Sequence, residues 1–157
     1  MSRSNTPRLP HDLRAERLLI AGILVDPGAA AYVTTLVTPD EFYSGAHKLI
    51  WAAITDIAAA GGTPDEVAIA DRLRRGGNLE AAGGEAYLAE LACQGTSSAM
   101  ADTYAQIIRR HAAERGLIIA CRRAEQMAVN GQADEAQAEL VSLLARARAL
   151  TMPEPIS

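Results

Sequence analysis

The chain contains 157 residues, of which 49% are hydrophobic and 4% are aromatic, and its formal net charge is −4. A chain of this length forms one domain, or one domain with an appendage. It can bury a core large enough to fold without disulfide bonds or bound metal ions. Its negative net charge argues against a nucleic-acid-binding surface formed by this chain on its own. Abundant alanine and the lack of period-2 alternation favour an all-α fold.

Residues 1–10 are polar, contain two prolines and are interpreted as a disordered lead. The first helix is predicted to begin near Asp12. Residues 18–25 are apolar on all sides, which is typical of a helix at the centre of a core. The next pair, Asp26-Pro27, is predicted to start a second helix, with Asp26 as the N-cap and Pro27 at the first helical position.

The sequence TPDE occurs twice, at residues 38–41 and 63–66. Each copy is predicted to form a capping box with proline at the first helical position. Ser44 is predicted to cap the helix between them. That helix carries an apolar stripe of Ile50, Trp51, Ile54, Ile57 and Ala58.

The helix after the second TPDE sequence is predicted to bury Val67, Ala70 and Leu73 and to end at the glycines of residues 76–77. A short helix follows, and its apolar residues include Leu88 and Leu91. Together these elements predict a helical head of about six helices over residues 11–97.

Residues 98–150 are predicted to form a long antiparallel helical hairpin. The two helices are separated at Asn130-Gly131-Gln132, because asparagine and glycine tolerate the positive φ that ends a helix. An apolar residue recurs in both helices at the alternating spacing of a heptad seam. The seam consists of Leu117, Cys121, Ala124, Ala128, Ala136, Leu140, Leu143, Ala147 and Leu150. Residues 151–157, with two prolines, are interpreted as a linker or tail.

The length of the hairpin predicts its role. A helix over residues 98–129 is about 45–50 Å long, whereas a compact head of roughly 100 residues is about 35 Å across. Part of the hairpin is therefore expected to project, and its thin seam buries too little surface to offset the entropy of ordering two helices. We expect the seam to pair with another chain. The alternative is that the hairpin folds back on the head and completes its core.

The sequence shows no constellation for catalysis, cofactor binding or metal binding. A P-loop requires Gly-x-x-x-x-Gly-Lys followed by Ser or Thr, and Lys48, the only lysine, lies within a predicted helix. His11, His47 and His111 have no partner at ligand spacing, and His47 is interpreted as a helix-start or packing residue. The carboxylates show no pair placed for acid–base chemistry. We therefore predict no catalytic residue, no cofactor, no metal and no ATPase motor.

Cys93 and Cys121 are predicted to be buried small hydrophobes in a reducing compartment. The sequence contains no signal peptide and no apolar run of about 18 residues, which leads us to expect a soluble cytoplasmic protein without a membrane contact. A basic cluster at residues 72–75 is interpreted as a solvated helix face rather than a DNA contact.

Charged residues on the two hairpin helices are expected to offset one another. The arginines are Arg109, Arg110, Arg122 and Arg123, and the carboxylates are Asp134, Glu135 and Glu139. Pairs between such side chains are predicted to set the register between two hairpins.

A series of short motifs follows a definite order along the chain. They include Pro10-His11-Asp12-Leu13-Arg14-Ala15-Glu16, Leu24-Val25-Asp26-Pro27, Phe42-Tyr43, His47, Pro64-Asp65, Gly83-Gly84, Tyr87-Leu88-Ala89-Glu90-Leu91 and Ile107-Ile108-Arg109. In this order they resemble the N-terminal domain of DnaB-type replicative DNA helicases, over roughly residues 10–150. Two positions depart from the family pattern: Met100 replaces the usual asparagine and Ala68 the usual threonine, and both bear on helix caps.

The resemblance implies an all-α head followed by a helical hairpin. In that family the domain forms the collar of a ring hexamer, in which hairpins pair subunits into dimers and three dimers close the ring. The collar also docks the helicase-binding domain of primase. The implied partners are therefore further copies of this chain, as a dimer or a trimer of dimers, and that primase domain, and no direct nucleic-acid binding is expected.

The sequence leaves two other hypotheses open. The first is a stand-alone truncated homologue that regulates helicase ring assembly, which a stop codon after Ser157 would favour and a downstream P-loop would exclude. The second is the helicase-binding domain of primase, which has a similar helical shape, although the N-terminal Pro-His-Asp-Leu run disfavours it. An enzyme with its own active site has the least support.

Overall fold

A computed structural model describes residues 8–95 and 97–151, without the side chains of residues 149–151. The described chain is helical and contains no strand, which confirms the predicted all-α class. Its α-helices are α1 (Leu13–Val25), α2 (Ala30–Val33), α3 (Gly45–Ala59), α4 (Glu66–Arg75), α5 (Gly84–Ala92), α6 (Ala101–Val129) and α7 (Ala133–Thr151). Short 3-10 turns occupy Pro27–Ala29, Pro39–Glu41 and Ser98–Met100.

The chain divides into two compact units. The head unit comprises Pro10–Ala112, and the hairpin unit contains residues 113–151 together with residues 8–9. The dividing point lies within α6, because Ala101, Ala105 and Ile108 belong to the core of the head unit. Residues 1–7 of the predicted lead (1–10) and residues 152–157 of the predicted tail (151–157) lie outside the described residues.

Helix α1 supplies the centre of the head core, as its apolar sequence predicts. Leu19, Ile20 and Ile23 are almost completely buried. The Asp12 carboxylate accepts a hydrogen bond from the Ala15 N–H at 2.9 Å, which satisfies one of the free donors at the start of the helix. The burial does not extend to the last residue of the helix, because Val25 is exposed.

Helix α3 packs its predicted stripe into the same core. Ile50, Trp51 and Ile54 are fully buried, and the Ser44 side chain accepts from the His47 N–H as the predicted N-cap. Trp51 also satisfies its polar atom, since its Nε1–H donates to the Val37 carbonyl oxygen at 2.8 Å. Burial of a tryptophan with its hydrogen bond intact makes α3 a second anchor of the head.

The predicted start at Asp26 is confirmed in position, because Asp26 is the N-cap of the 3-10 turn that begins at Pro27, but no side-chain cap forms there. The Asp26 carboxylate instead accepts from the Ser98 hydroxyl at 2.9 Å. The α-helix that follows, α2, is a single turn. The local sequence predicted a side-chain cap at Asp26, but the Asp26 carboxylate is hydrogen-bonded to Ser98, which lies far away in the sequence.

The two TPDE sequences adopt different structures. In the first, the Glu41 carboxylate accepts from the Thr38 N–H at 2.7 Å, as a capping box requires. In the second, Asp65 is the N-cap and its carboxylate accepts from the Ala68 N–H at 2.8 Å. The alanine that replaces the usual threonine at residue 68 therefore leaves this cap intact, because only its backbone takes part.

Helices α4 and α5 complete the head. Ile69, Leu73, Leu88 and Leu91 are buried. The prediction that Val67 is buried with them is wrong, since Val67 is 77% exposed. The N-cap lies at Asp65, two residues after the Thr63 position that the capping box predicted, so Val67 is only the second residue of the helix and the buried face is formed by Ile69, Ala70 and Leu73.

The hairpin turn has the predicted position. Gly131 has φ +82°, the Gly131 N–H donates to the Ala128 carbonyl, and the Gln132 N–H donates to the Met127 carbonyl at 2.9 Å. This pair of bonds is the Schellman arrangement, which ends a helix and requires a left-handed residue. Helix α7 starts two residues later, so α6 and α7 are joined by a tight connection.

Candidate interaction surfaces and a buried polar network

A polar network that the sequence analysis missed lies inside the head. The Glu16 carboxylate accepts from the Tyr43 N–H at 2.5 Å and from the Ser44 N–H at 3.3 Å, and it bonds His47 Nδ1 at 2.6 Å. His47 Nε2 in turn bonds the Tyr87 hydroxyl at 2.7 Å. Glu16 and His47 are both 2% exposed. The network therefore ties α1, the start of α3 and α5 together through buried side chains.

The geometry of this network fixes its chemical role. With a single proton on Nδ1, His47 donates to the Glu16 carboxylate and its Nε2 accepts from the Tyr87 hydroxyl. Glu16 also lies at the N-terminal end of α3, where the helix dipole favours negative charge. Burial raises the pKa of the Tyr87 phenol, Arg17 opposes that rise, and Glu90 and Glu16 add to it. Glu16 and His47 are buried and hydrogen-bonded, and the half-buried Tyr87 hydroxyl bonds His47, so the network joins three elements of the head.

The predicted seam residues differ in exposure within the hairpin unit. Ala124 and Ala136 are buried and Leu143 is half-buried, whereas Leu117 and Leu140 are exposed. The remaining seam residues with described side chains, Cys121, Ala128 and Ala147, are also exposed. Leu150 lies outside the residues whose side chains are described.

An open groove brings several seam residues together. Its lining consists of Cys121, Ala124, Glu125, Ala128, Ala133, Ala136, Gln137 and Leu140, and its volume is about 370 Å³. Small side chains form most of this lining, so the backbones of α6 and α7 form a shallow apolar channel with Leu140 at its edge. Such a channel can receive larger apolar side chains.

The hairpin unit also exposes apolar residues that the seam did not include. Ile119, Val129, Val141 and Leu144 are each more than half exposed. The heptad pattern could not find them, because they fall between its positions. Because these residues are exposed and lie outside the seam, substitutions of them serve as matched controls for substitutions in the seam.

One pair between the predicted arginines and carboxylates of the hairpin lies within the chain itself, and pairs between two hairpins stay a prediction. Arg123 Nε lies 3.4 Å from a Glu139 carboxylate oxygen within the hairpin unit, and Arg109 Nε lies 3.5 Å from Glu41 within the head unit. The arginines of α4 pair with nearby carboxylates on the exposed surface, as a solvated helix face would. Exposed pairs of this kind contribute about 0.2–1 kcal/mol each.

The prediction that both cysteines are buried is wrong. Cys93 and Cys121 are exposed free thiols. Cys93 follows the last residue of α5, and Cys121 borders the hairpin groove. Within the described ranges, no group of three or more His, Cys, Asp or Glu residues has the arrangement of a metal site. None of the helices described has the length and apolar character needed to cross a membrane.

These features define an all-α domain in which a packed helical head is followed by a helical hairpin. The model of the DnaB-like helicase N terminal domain family matches residues 8–110. The chain belongs to that family. The match covers the head unit, including the Glu16–His47–Tyr87 network.

Curated relatives extend the match into the hairpin. The chain is 33% identical over 148 residues to the replicative DNA helicase DnaB of Leifsonia xyli subsp. xyli (strain CTCB07), covering 90% of this chain and 32% of that protein. It is also 33% identical over 113 residues to the replicative DNA helicase DnaB of Treponema pallidum (strain Nichols), covering 72% of this chain and 26% of that protein. The chain therefore spans about a third or less of the length of these relatives.

Solved structures share the fold. The N-terminal domain of DnaB helicase from Mycobacterium tuberculosis superposes with a TM-score of 0.78 at 34% identity, covering 86% of this chain and 99% of that one. A DnaB-like replicative helicase, whose structure was described with its interactions with primase, superposes with a TM-score of 0.69 at 26% identity. That match covers 85% of this chain and 31% of the helicase chain.

Proposed function

We propose that this chain is a non-catalytic collar domain, which pairs helicase subunits through its hairpin and recruits primase during DNA replication. The observation that carries the proposal is the exposure of the seam. Leu117 and Leu140 are exposed on the hairpin, and Leu140 borders a groove of small side chains. An apolar surface of this kind on a helical hairpin favours burial against another chain.

A second copy of the same chain is the proposed occupant of the groove. A two-fold interface presents the same surface twice, so a patch with both a channel and a projecting apolar residue can complement itself. The groove of one hairpin accepts Leu140 of the other, and the reverse contact follows by symmetry. Each fully buried leucine side chain contributes roughly 1.5–3 kcal/mol.

Substitutions in the seam test this pairing. The double variant Leu117→Asp with Leu140→Asp places carboxylates in the proposed contact, and we expect a monomer by multi-angle light scattering where the wild type is a dimer or larger. The matched control is Ile119→Asp with Val141→Asp, which makes the same chemical changes on the same two helices outside the seam. Leu143 is left unchanged because it is half-buried within the hairpin itself.

The two variants give distinct readings. Oligomeric control protein with a monomeric seam variant supports pairing through the seam. A wild type that stays monomeric at high concentration contradicts the proposal, and equal dissociation of both variants shows that the seam is not the specific contact. Circular dichroism on all three proteins separates loss of pairing from loss of helix.

Primase recruitment is the second part of the proposal. It is supported by membership of the family and by the likeness to a replicative helicase whose structure was described with primase. Calorimetric titration of the purified chain with the helicase-binding domain of the cognate primase measures it directly. We expect association with the oligomer and weaker association with the Leu117→Asp, Leu140→Asp variant. If the primase domain binds neither the wild-type chain nor this variant, the proposed recruitment of primase is contradicted.

The proposed function includes no ATP hydrolysis by this chain. The sequence contains no Gly-x-x-x-x-Gly-Lys motif, and its single lysine, Lys48, is exposed on the first turns of α3. A phosphate-release assay on clean protein is expected to give the background rate. Turnover that co-purifies with the chain through several columns would contradict this part.

A further inference from the structure

The head unit has an open groove between α4 and α5 that the proposed hairpin contact does not use. Its volume is about 560 Å³, and its lining consists of Asp65, Glu66, Val67, Ala68, Ala70, Asp71, Arg74, Glu85 and Leu88. Volumes of this order accommodate a few side chains of a ligand or peptide. All residues that line the groove belong to the head unit.

An exposed valine makes this groove unusual. Val67 is 77% exposed, although its neighbours along α4, Ile69 and Ala70, are buried. Leu88 lies in the same lining and is completely buried. Val67 is therefore the main apolar side chain of the lining that solvent reaches.

Most of the charged side chains that line this groove are negative. Four carboxylates, Asp65, Glu66, Asp71 and Glu85, line the groove with one cation, Arg74. Three of them have partners: Asp65 caps the start of α4, Asp71 pairs with Arg75 at 2.9 Å, and Glu85 pairs with Arg74. These ion pairs are solvent-exposed and therefore weak, so an incoming cation can replace the protein's own arginine at small cost.

We propose that the α4–α5 groove is a docking site for a basic, apolar segment of a partner protein. An aliphatic side chain of the segment packs on Val67, and flanking arginine or lysine side chains meet the carboxylates. The excess of carboxylates over arginine in the lining disfavours nucleic acid and acidic segments, because like charges repel. Arg74 acts as an internal competitor, because it occupies Glu85 until the segment arrives.

A labelled peptide that alternates arginine pairs with leucine is the probe, measured by fluorescence anisotropy against the full chain at low salt. Val67→Ser is expected to weaken binding about tenfold, since about 1.4 kcal/mol of apolar burial corresponds to that factor. Arg74→Gln is expected to strengthen binding several-fold, because it removes the competitor and frees Glu85. A gain of affinity is an outcome that simple damage to the fold does not produce.

Matched substitutions elsewhere in the head separate the groove from general effects. Val25→Ser removes another half-exposed valine from α1, and Arg14→Gln makes the same change of net charge on an exposed arginine of that helix. Neither residue lines the groove. Both controls are expected to leave the affinity unchanged within a factor of about two.

Three results would overturn the proposal. The first is an equal gain of affinity from Arg14→Gln and Arg74→Gln, which would show that net charge alone attracts the peptide. The second is unchanged affinity in Val67→Ser. The third is a change in self-association by Val67→Ser without a change in peptide binding, which would make a second copy the occupant. A peptide with glutamate in place of arginine is expected not to bind.

Discussion

The head and hairpin units treat their large apolar side chains in opposite ways. In the head, Trp51, Phe42 and Ile54 are completely buried. In the hairpin, the buried apolar residues among those described are alanines, Ala124 and Ala136, while leucines, isoleucine and valines remain exposed. The head thus closes its own core, whereas the hairpin leaves most of its apolar surface to solvent.

This contrast suggests that the head determines the stability of the fold and that the hairpin determines association. Helical stability in proteins comes mainly from packing of an apolar face, because propensity alone supports only marginal helices. The head obtains this packing from within the chain, and under the proposed function a second copy supplies it at the hairpin seam. Substitutions in the head core are therefore expected to change unfolding, and substitutions in the hairpin seam to change assembly.

The largest effect is expected from Trp51→Ala in the head. It removes a fully buried ring and leaves the Val37 carbonyl without its donor, so the free energy of unfolding should fall by about 3–5 kcal/mol. Urea unfolding followed by circular dichroism measures this loss. Leu144→Ala is the hairpin control, and in dilute monomeric protein it should cost less than about 0.5 kcal/mol, as exposed sites do. Similar losses of unfolding free energy in Trp51→Ala and Leu144→Ala would contradict the proposed difference between the two units.

A smaller effect is expected from Glu16→Gln in the buried network. Glutamine has one acceptor oxygen in place of two, so its N–H₂ group faces either the Tyr43 N–H or the Ser44 N–H and His47 Nδ1. At least one donor loses its acceptor, which costs about 1–3 kcal/mol. Denaturant unfolding of this variant is compared with Glu80→Gln, which changes an exposed carboxylate. An unchanged midpoint in Glu16→Gln would show that the network contributes nothing to the stability of the head.

The smallest effect concerns alkaline pH and Tyr87. Its pKa is raised above the ordinary value of 10.0, mainly by burial, so the phenol ionises first in the unfolded chain. The contribution to stability is therefore complete below pH 10.0 and is lost as pH rises through the folded-state pKa. In Tyr87→Phe, the decline of unfolding free energy above pH 10.0 should be shallower than in wild type. Tyr104→Phe is the control, and parallel curves for wild type and Tyr87→Phe would contradict the assignment.

Much of the fold could be predicted from local patterns. The α3 stripe, the Ser44 cap and the turn at Gly131 depend on residues close together in the sequence, and all three were predicted correctly. One wrong prediction involves a distant partner, since the Asp26 carboxylate bonds Ser98 instead of capping its own turn. Another is local, since the N-cap lies at Asp65 rather than Thr63 and the Val67 side chain is exposed.

The candidate surfaces were less predictable than the fold. The heptad spacing identified Leu140 and the alanines that line the hairpin groove, but it gave no information about Ile119 or Val141. His47 was recognised as a packing residue, yet its partners Glu16 and Tyr87 are 31 and 40 positions away. No spacing rule connects residues so far apart, so only the folded chain shows that they form one network.

The network also constrains the order in which the head is completed during synthesis. Glu16 and His47 emerge from the ribosome well before Tyr87, and α5 supplies the last hydrogen bond of the series. A nascent chain that stops short of α5 holds a histidine with an unmatched ring nitrogen. Domains generally fold as units during translation, so a ribosome-bound chain is expected to remain open until α5 is available.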